Sequence, residues 1–144
     1  MDEYNLQEQI VAFVRAFGLH KGEETPCGKS LSVAEAYVLM ELERDGQLAQ
    51  NVLVERLNLA KSTVSRLVQQ MRKRGWIERQ RSPEDGRVWL WQLTPAGRTL
   101  AADVAQARQD KFAQIMAQIP VEARQSVSDS LNILVEAIRG NHTR

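Results

Sequence analysis

The chain of 144 residues has a single cysteine, Cys27, and no long apolar run. One cysteine cannot form an intramolecular disulfide, and no stretch approaches the roughly 20 apolar residues that a membrane-spanning helix needs. The amino-terminal stretch MDEYNLQEQ is acidic and lacks the basic and apolar regions of a signal peptide. These absences predict a cytoplasmic protein, and the length supports one hydrophobic core.

Catalytic and metal-binding constellations are also missing. The sequence contains no Gly-rich phosphate loop and no Cys/His or Ser/His/Asp set in a suitable context, which argues against an enzyme. The two histidines, His20 and His142, form no ligand cluster with Cys27, so we expect no metal site and no cofactor. Redox sensing by Cys27 is an alternative that the local charge does not favour, because two preceding glutamates offset Lys29.

The overall charge of +1 is unevenly distributed along the chain. Residues 50–98 hold ten basic and four acidic side chains, a net charge of +6. The remaining residues hold nine basic and fourteen acidic side chains, a net charge of −5. A basic middle between acidic flanks is the electrostatic pattern of a nucleic-acid-binding segment.

The centre of this basic region, Lys61 to Lys73, has the pattern of an amphipathic helix. Its apolar residues recur at the i, i+3, i+4, i+7 spacing of one buried stripe, formed by Val64, Leu67, Val68 and Met71. The opposite side carries no carboxylate and consists of Ser62, Ser65, Arg66, Gln69 and Lys73. A solvated face normally mixes both signs of charge, whereas donors and cations alone fit phosphates and base edges. The pattern therefore predicts a DNA-recognition helix.

Two helices are expected upstream of residue 50. The spacing of apolar residues predicts a first helix from Asn5 to Leu19, and a loop containing Gly and Pro follows from Lys21 to Ser30. Ser32 and Glu35 fit a capping box, so a second helix begins there and ends near Gly46. The side chains of this second helix that are expected to face the core are Ala36, Leu39, Met40 and Leu42.

A short strand at Leu48 and a brief helix from Gln50 to Leu57 precede the recognition helix. Asn58 fits the tight turn between the two helices, because asparagine tolerates a positive φ. The recognition helix is expected to end at Arg74, with Gly75 as a left-handed terminator. Helix, short turn and helix predict a helix-turn-helix, in which the second helix enters the major groove.

A β-hairpin is predicted directly after this helix. Trp76–Arg79 and Val88–Leu93 are rich in β-branched and aromatic residues, and the SPEDGR segment between them has the composition of a turn. The tip carries Arg81, Asp85 and Arg87, and a hairpin in this place is a wing. The predicted fold class is mainly α (α+β), a winged helix-turn-helix with a two-stranded wing and long flanking helices.

The carboxyl-terminal part predicts two further amphipathic helices. Thr94 caps a helix that Pro95 opens and that continues to about Ala117, and Pro120 opens the last one. Their apolar positions are Leu100, Val104, Phe112, Ile115, Met116, Val127, Leu131, Leu134, Val135 and Ile138. Such helices need a surface to bury against. We therefore expect dimerisation helices at about residues 4–19 and 95–139, around a DNA-binding lobe at about residues 31–98, in one domain of residues 1–144.

The segments LSVAEAYVLMEL and LVERLNLAKSTVSRLVQQMRKRGWIERQRSPEDGRVWLWQLTPAGRTL resemble the MarR family of bacterial transcriptional regulators. The most specific motifs are K-S-T-V-S-R-L, G-W-I-E-R, and Asp85-x-Arg87 followed by L-T-P-A-G. The resemblance covers Leu31 to Leu100 closely. It implies a winged-helix homodimer that binds a pseudo-palindromic operator, usually as a repressor released by a small effector. Trp89 and Trp91 depart from the family pattern, because both are bulky for the wing strand.

Roles for single residues follow from the helix pattern and from the resemblance. Arg66 is the candidate for direct base contact, because a guanidinium binds guanine O6 and N7 together; a phosphate contact is the alternative. Arg87 resembles the family arginine that enters the minor groove, and Asp85 is expected to orient it. Ser62, Thr63, Arg79 and Arg81 are expected at phosphates, and Gln69 at a base or in solvent. The complete set of candidate DNA-binding residues is Lys61, Ser62, Thr63, Ser65, Arg66, Gln69, Arg79, Arg81, Asp85 and Arg87.

The sequence leaves alternatives open for a ligand crevice, for the role of residues 72–74 and for the function as a whole. Family members often bind aromatic ligands in a crevice beside the dimer helices; candidate lining residues here are Phe13, Phe17, Tyr37, Met40 and Phe112. Ordinary core packing is the commoner role of such side chains. The cations Arg72, Lys73 and Arg74 lie at the carboxyl end of the predicted helix, where the helix dipole stabilises positive charge whether or not DNA is bound. A winged helix used only for protein–protein contact is the alternative function, although such an interface favours aromatics and few cations.

Overall fold

A computed structural model describes residues 1–142, so the last two residues of the expected domain of 1–144 lie outside the described part. The order of elements is that of a winged helix-turn-helix with flanking helices. The elements are α1 (Glu3–Phe17), α2 (Val33–Asp45), β1 (Gln47–Ala49), α3 (Gln50–Leu57), α4 (Lys61–Lys73), β2 (Ile77–Arg81), β3 (Trp89–Leu93), α5 (Pro95–Gln118), a 3-10 turn (Val121–Ala123) and α6 (Arg124–His142). The chain forms two compact units, Met1–Arg108 and Gln109–Arg144, and α5 contributes residues to both.

One hydrophobic core holds the winged lobe, residues 31–98, together. The fully buried large side chains come from α2, α3, α4, β2 and β3, namely Val38, Leu39, Leu42, Leu53, Val64, Val68, Met71, Ile77 and Trp91. Trp91 is the largest of them, and its indole N–H donates to Oε1 of Gln50 at 3.2 Å. A buried tryptophan thus keeps its single polar group satisfied.

The three strands form one antiparallel sheet in the order β1-β3-β2. Leu48 lies opposite Trp91, and Arg81 lies opposite Trp89. The expected hairpin is therefore confirmed, and the expected short strand at Leu48 completes its sheet. Strand β2 begins one residue later than expected, at Ile77, and extends to Arg81, because the pairing with β3 continues to Trp89.

Local sequence signals explain the boundaries of most helices in the lobe. The hydroxyl of Ser32 accepts from the Glu35 N–H at 3.1 Å while the Glu35 carboxylate accepts from the Ser32 N–H at 2.9 Å, which is the expected capping box. Asn58 has φ 53° in the turn before α4, and Gly75 has φ 77° after it. These two residue types occupy the left-handed region at low cost.

Gly97 is required by a close approach rather than by its backbone angles. A Cβ atom added there would lie 1.9 Å from the carbonyl oxygen of Trp76. The Thr94 hydroxyl caps α5 by accepting from the Gly97 N–H at 3.0 Å, and it donates to the Gly75 carbonyl at 2.5 Å. The Thr-Pro-Ala-Gly segment therefore fastens the start of α5 to the turn after α4.

Three expectations from the sequence are corrected. Helix α1 begins at Glu3 and ends at Phe17, two residues before the expected bounds, because Asp2 accepts from the Asn5 N–H and Gly18 with φ 87° closes the helix. Met40 is half-buried rather than buried, since the inner side of α2 carries Val38 instead. The last helix does not start directly at Pro120, because a 3-10 turn precedes it.

The flanking helices leave apolar side chains at the surface. Neither α1 nor α6 has a buried residue in the described part of the chain. The stripe of α6 consists of Val127, Leu131, Leu134, Val135 and Ile138, of which all but the half-buried Leu134 are exposed. Among residues 1–142, no helix has the length and apolar character needed to cross a membrane.

Candidate DNA-binding surface

Helix α4 turns its apolar stripe inward and its polar side outward. Val64, Val68 and Met71 are fully buried, and Leu67 is nearly so. On the other side, Lys61, Ser62 and Arg66 are exposed, whereas Thr63, Ser65 and Gln69 are half-buried. The six residues predicted on this helix therefore form one continuous surface, along its first two and a half turns.

The amino end of α4 is open. Its N-cap is Ala60, and no side chain within residues 1–142 caps the helix there. The first N–H groups of a helix have no partner inside the helix, and together with the helix dipole they favour an anion.

The wing carries a bidentate ion pair between Asp85 and Arg87. The Arg87 guanidinium donates from Nε to Oδ1 at 3.1 Å and from Nη2 to Oδ2 at 3.3 Å. The backbone N–H of Arg87 also donates to Oδ1 of Asp85, at 3.0 Å. The Arg87 side-chain hydrogen bonds, and then this backbone bond, lower the pKa of Asp85. The contact fits the orienting role expected of Asp85, and the Arg87 side chain remains 91% exposed.

Arg79 and Arg81 stack on the same tryptophan. Their Cζ atoms lie 4.3 Å and 4.4 Å from the centre of the Trp89 ring. Arg81 also donates from Nη1 to the carbonyl of Gly86 in the turn. Neither arginine is paired with a carboxylate in the described residues.

Two other arginines of the basic segment are neutralised by carboxylates. Arg56 pairs with Glu41 and Asp45, which raises the pKa of Arg56; its side-chain hydrogen bond is the main cause that lowers the pKa of Asp45. Arg74 donates to Oε2 of Glu35 at 3.2 Å and lies over the Trp76 ring at 4.8 Å. Arg74 therefore has a structural role. This agrees with the expectation that residues 72–74 are placed at the helix end for stability rather than for DNA binding.

The remaining cations of the segment face solvent on α4 and at the start of α5. Within residues 1–142, no carboxylate pairs with Lys61, Arg66, Arg72, Lys73 or Arg98. Arg79 and Arg81 join this group, because the aromatic ring beside them does not neutralise their charge. The unneutralised positive charge is thus concentrated on α4 and β2.

Sequence patterns did not reveal three contacts that position this surface. Glu35 joins α2 to the end of α4, Gln50 joins α3 to β3, and Gly97 admits the Trp76 carbonyl. The capping-box motif was the only signal for Glu35, and it concerns just one of its two carboxylate oxygens. The other contacts link segments far apart in the chain.

The candidate ligand-lining residues are mostly at the surface. Phe13, Tyr37 and Phe112 are 53%, 47% and 48% exposed, and Phe17 and Met40 are half-buried. Phe13 and Phe17 stack with their ring centres 5.6 Å apart. Ordinary core packing is therefore wrong for the first three residues.

The structure also shows how the candidate metal ligands and Cys27 are arranged. Within residues 1–142, no cluster of three or more His, Cys, Asp or Glu side chains is arranged to hold a metal ion. Cys27 is half-buried in the loop between α1 and α2. That loop is held by the Thr25 N–H, which donates to the Lys29 carbonyl at 2.9 Å, and by the Thr25 hydroxyl, which accepts from the Lys29 N–H at 3.1 Å.

Comparison with known proteins agrees with this geometry. Residues 29–88 match the model of the MarR family. The uncharacterized HTH-type transcriptional regulator YdgJ of Bacillus subtilis is 26% identical over 101 residues, which are 70% of this chain and 62% of YdgJ. YfiV of the same organism, another uncharacterized HTH-type transcriptional regulator, is 26% identical over 75% of this chain and 68% of its own. The match thus spans less than two thirds of YdgJ.

Two solved structures share the fold. A probable transcriptional regulator from Pseudomonas aeruginosa has a TM-score of 0.71 and 26% identity, covering 92% of this chain and 97% of that one. FabT of Streptococcus pneumoniae, solved in complex with DNA, has a TM-score of 0.80 and 19% identity, covering 96% and 99%.

The order of elements, the three-stranded sheet and the α4 surface define a winged helix-turn-helix protein. The family model covers its α2 to the wing turn, and the relatives by sequence are named as regulators of the same kind. Over residues 29–88, which form most of its winged lobe, this chain matches the MarR family of transcriptional regulators.

Proposed function

We propose that this chain is a sequence-specific DNA-binding transcriptional regulator that acts as a homodimer on a pseudo-palindromic operator. The observation that carries the proposal is the α4 surface, which has an open amino end, hydrogen-bond donors and cations, and no carboxylate. The wing beside it adds further unneutralised arginines. Such a surface fits the phosphates and major-groove edges of a duplex.

Single residues take distinct roles in this proposal. Arg66 contacts a base, while Ser62, Thr63 and the N–H groups at the start of α4 bind phosphates. Lys61, Ser65 and Gln69 complete the surface of the helix. Arg87 reaches into the minor groove, and Asp85 holds its guanidinium in place through the bidentate pair.

The flanking helices support a homodimer. The exposed apolar stripe of α6 and the half-buried stripe of α1 are costly in water, and burial against a second copy removes that cost. A two-fold dimer presents two recognition helices, which matches a palindromic site with half-sites one or more helical turns apart.

Repression and release by a small effector form the finer part of the proposal. They rest on the match of residues 29–88 to the MarR family. The partly exposed rings of Phe13, Phe17 and Tyr37 offer contacts for an aromatic ligand. Because the partner would be chromosomal DNA, we place the protein in the cytoplasm.

Arg66→Ala tests the proposed recognition role. The variant should lose about 1–3 kcal/mol of binding free energy to a duplex selected from a random pool, and its preference should relax at one base position. Fluorescence anisotropy measures both effects, and Arg44→Ala, which removes an exposed arginine of α2, should bind as the wild type does. Unchanged affinity and base preference in Arg66→Ala would refute the role.

Salt dependence separates DNA binding from the alternative of a protein–protein module. Binding to DNA releases counterions, so affinity should fall steeply as salt rises, and Arg81→Ala should weaken all sequences alike while reducing the slope by about 1. A wild-type chain that binds no duplex, but forms a salt-insensitive complex with another protein, would favour the alternative.

A further inference from the structure

Trp89 is an exposed aromatic residue placed where the wing leaves the core. It lies on β3 directly opposite Arg81, and its side chain is 36% exposed, whereas Trp91 two residues later is fully buried. Residues two apart on a strand share one face, so Arg79 and Arg81 both point toward the side of the sheet that carries Trp89. Both guanidinium carbons lie within 4.4 Å of its ring centre.

This arrangement gathers two like charges without neutralising them. No carboxylate of the described residues pairs with Arg79 or Arg81, although Arg74 and Arg87 of the same basic segment each have one and Arg56 has two. Two cations that share one ring repel each other, and the repulsion is relieved when an anion binds. The cluster therefore has the charge of a site for an anionic partner.

A stacked guanidinium also keeps its hydrogen-bonding capacity. The cation–π contact uses the face of the planar group, so the N–H donors along its edge remain available to phosphate oxygens. Only one such donor is engaged within residues 1–142, by the Gly86 carbonyl that accepts from Arg81. The ring restricts the rotamers of two long side chains, which reduces the entropy that a phosphate contact would otherwise cost.

We propose that Trp89 is a positioning residue that holds Arg79 and Arg81 as a paired ligand for phosphates of the DNA backbone. The inference rests on the proposed function. It assigns to the wing a sequence-independent contact, separate from base reading by Arg66. Trp89 itself does not contact DNA.

The test compares Trp89→Leu, Trp89→Phe and Arg79→Gln/Arg81→Gln on a fluorescent mixed-sequence duplex over a series of salt concentrations. Loss of two cation–π contacts at an exposed site should lower the affinity of Trp89→Leu by roughly 5- to 30-fold. Phenylalanine keeps a ring face, so Trp89→Phe should retain most of the affinity, which a purely packing role would not require. Arg79→Gln/Arg81→Gln should reduce the magnitude of the salt slope by about 2.

A double-mutant cycle distinguishes positioning from direct contact. Trp89→Leu should cost nothing further in the Arg79→Gln/Arg81→Gln background, because the groups it positions are gone. A loss of the same size in both backgrounds would overturn the inference, as would equal binding by Trp89→Leu and wild type. If wild type binds no duplex, the proposed function falls as well; if only the Trp89 effects are missing, the proposed function stands and this inference alone fails.

Discussion

The winged lobe differs from the two helices α1 and α6 in how far its apolar side chains are buried. In the lobe, nine large side chains from α2, α3, α4 and the wing strands are almost completely buried. In α1 and α6, no residue is buried within the described part of the chain. The lobe therefore stabilises itself within one chain, whereas residues 1–142 leave apolar surface of α1 partly exposed and that of α6 mostly exposed.

This difference indicates how the parts divide the work. A self-contained core fixes the direction of α4 relative to the wing, which a DNA-reading surface requires. In the proposed function the apolar side chains of α1 and α6 serve association, and changes to such an interface should leave the lobe undisturbed. Changes in the two regions should consequently affect different properties of the protein.

The largest effect is expected from polar substitutions in the α6 stripe. Leu131→Ser/Ile138→Ser removes four half-exposed apolar side chains from the proposed two-fold dimer, and at about 1 kcal/mol each the loss is about 4 kcal/mol of association free energy. Dissociation should be roughly a thousandfold easier in analytical ultracentrifugation. The melting of the lobe, followed by tryptophan fluorescence, should change little.

Ile133→Ser provides the matched control for the same helix. Ile133 is 72% exposed and lies on the opposite side of α6 from Leu131 and Ile138. Its substitution should leave the association constant unchanged. Equal weakening by both variants, or no weakening by the double variant, would contradict the assignment of the stripe to the dimer.

A second prediction contrasts a glycine of the lobe with a glycine of α6. Gly97→Ala forces a methyl group against the Trp76 carbonyl. Because the clash is with a backbone atom, a side-chain movement cannot relieve it, and the variant should lose about 3 kcal/mol of unfolding free energy. Gly140→Ala meets no atom within 4 Å and should stabilise its helix by about 0.5–1 kcal/mol. Chemical denaturation measures both, and a Gly97→Ala variant as stable as wild type would show that the close approach is relaxed in solution.

A smaller effect concerns the way the lobe holds α4. Glu35 closes the capping box of α2 with one oxygen and accepts from Arg74 with the other. Glu35→Ala removes both interactions and should cost about 2 kcal/mol, whereas Glu35→Gln keeps the cap and should cost about 1 kcal/mol. Urea titrations of the two variants would refute this account if Glu35→Ala were as stable as the wild type.

Local patterns were sufficient to predict much of the lobe. The buried stripe of α4, the capping box at Ser32 and the glycine stop after α4 depend on residues a few positions apart, so the sequence contains the whole signal. The apolar spacing predicts the first helix two residues too late, because the boundaries of this helix depend on Asp2 and Gly18. The roles of the α4 and wing residues in DNA binding stay predictions.

Contacts between distant segments could not be predicted in this way. Arg74 and Glu35 are 39 residues apart, and Gln50 and Trp91 are 41 apart. The sequence identified Trp89 only as unusually bulky, since its pairing with Arg79 and Arg81 depends on the register of the hairpin. Without knowledge of that register, the sequence does not predict that the Trp89 ring contacts both arginines.

Selection of bound duplexes from a random pool tests the central claim most directly. The account predicts enrichment of a palindromic sequence whose half-sites lie about 10 base pairs, or a multiple of a helical turn, apart. The Leu131→Ser/Ile138→Ser variant should lose the palindrome and retain at most a single weak half-site. A wild-type chain that enriches no sequence, or only an unrepeated one, would contradict a dimeric reader of DNA.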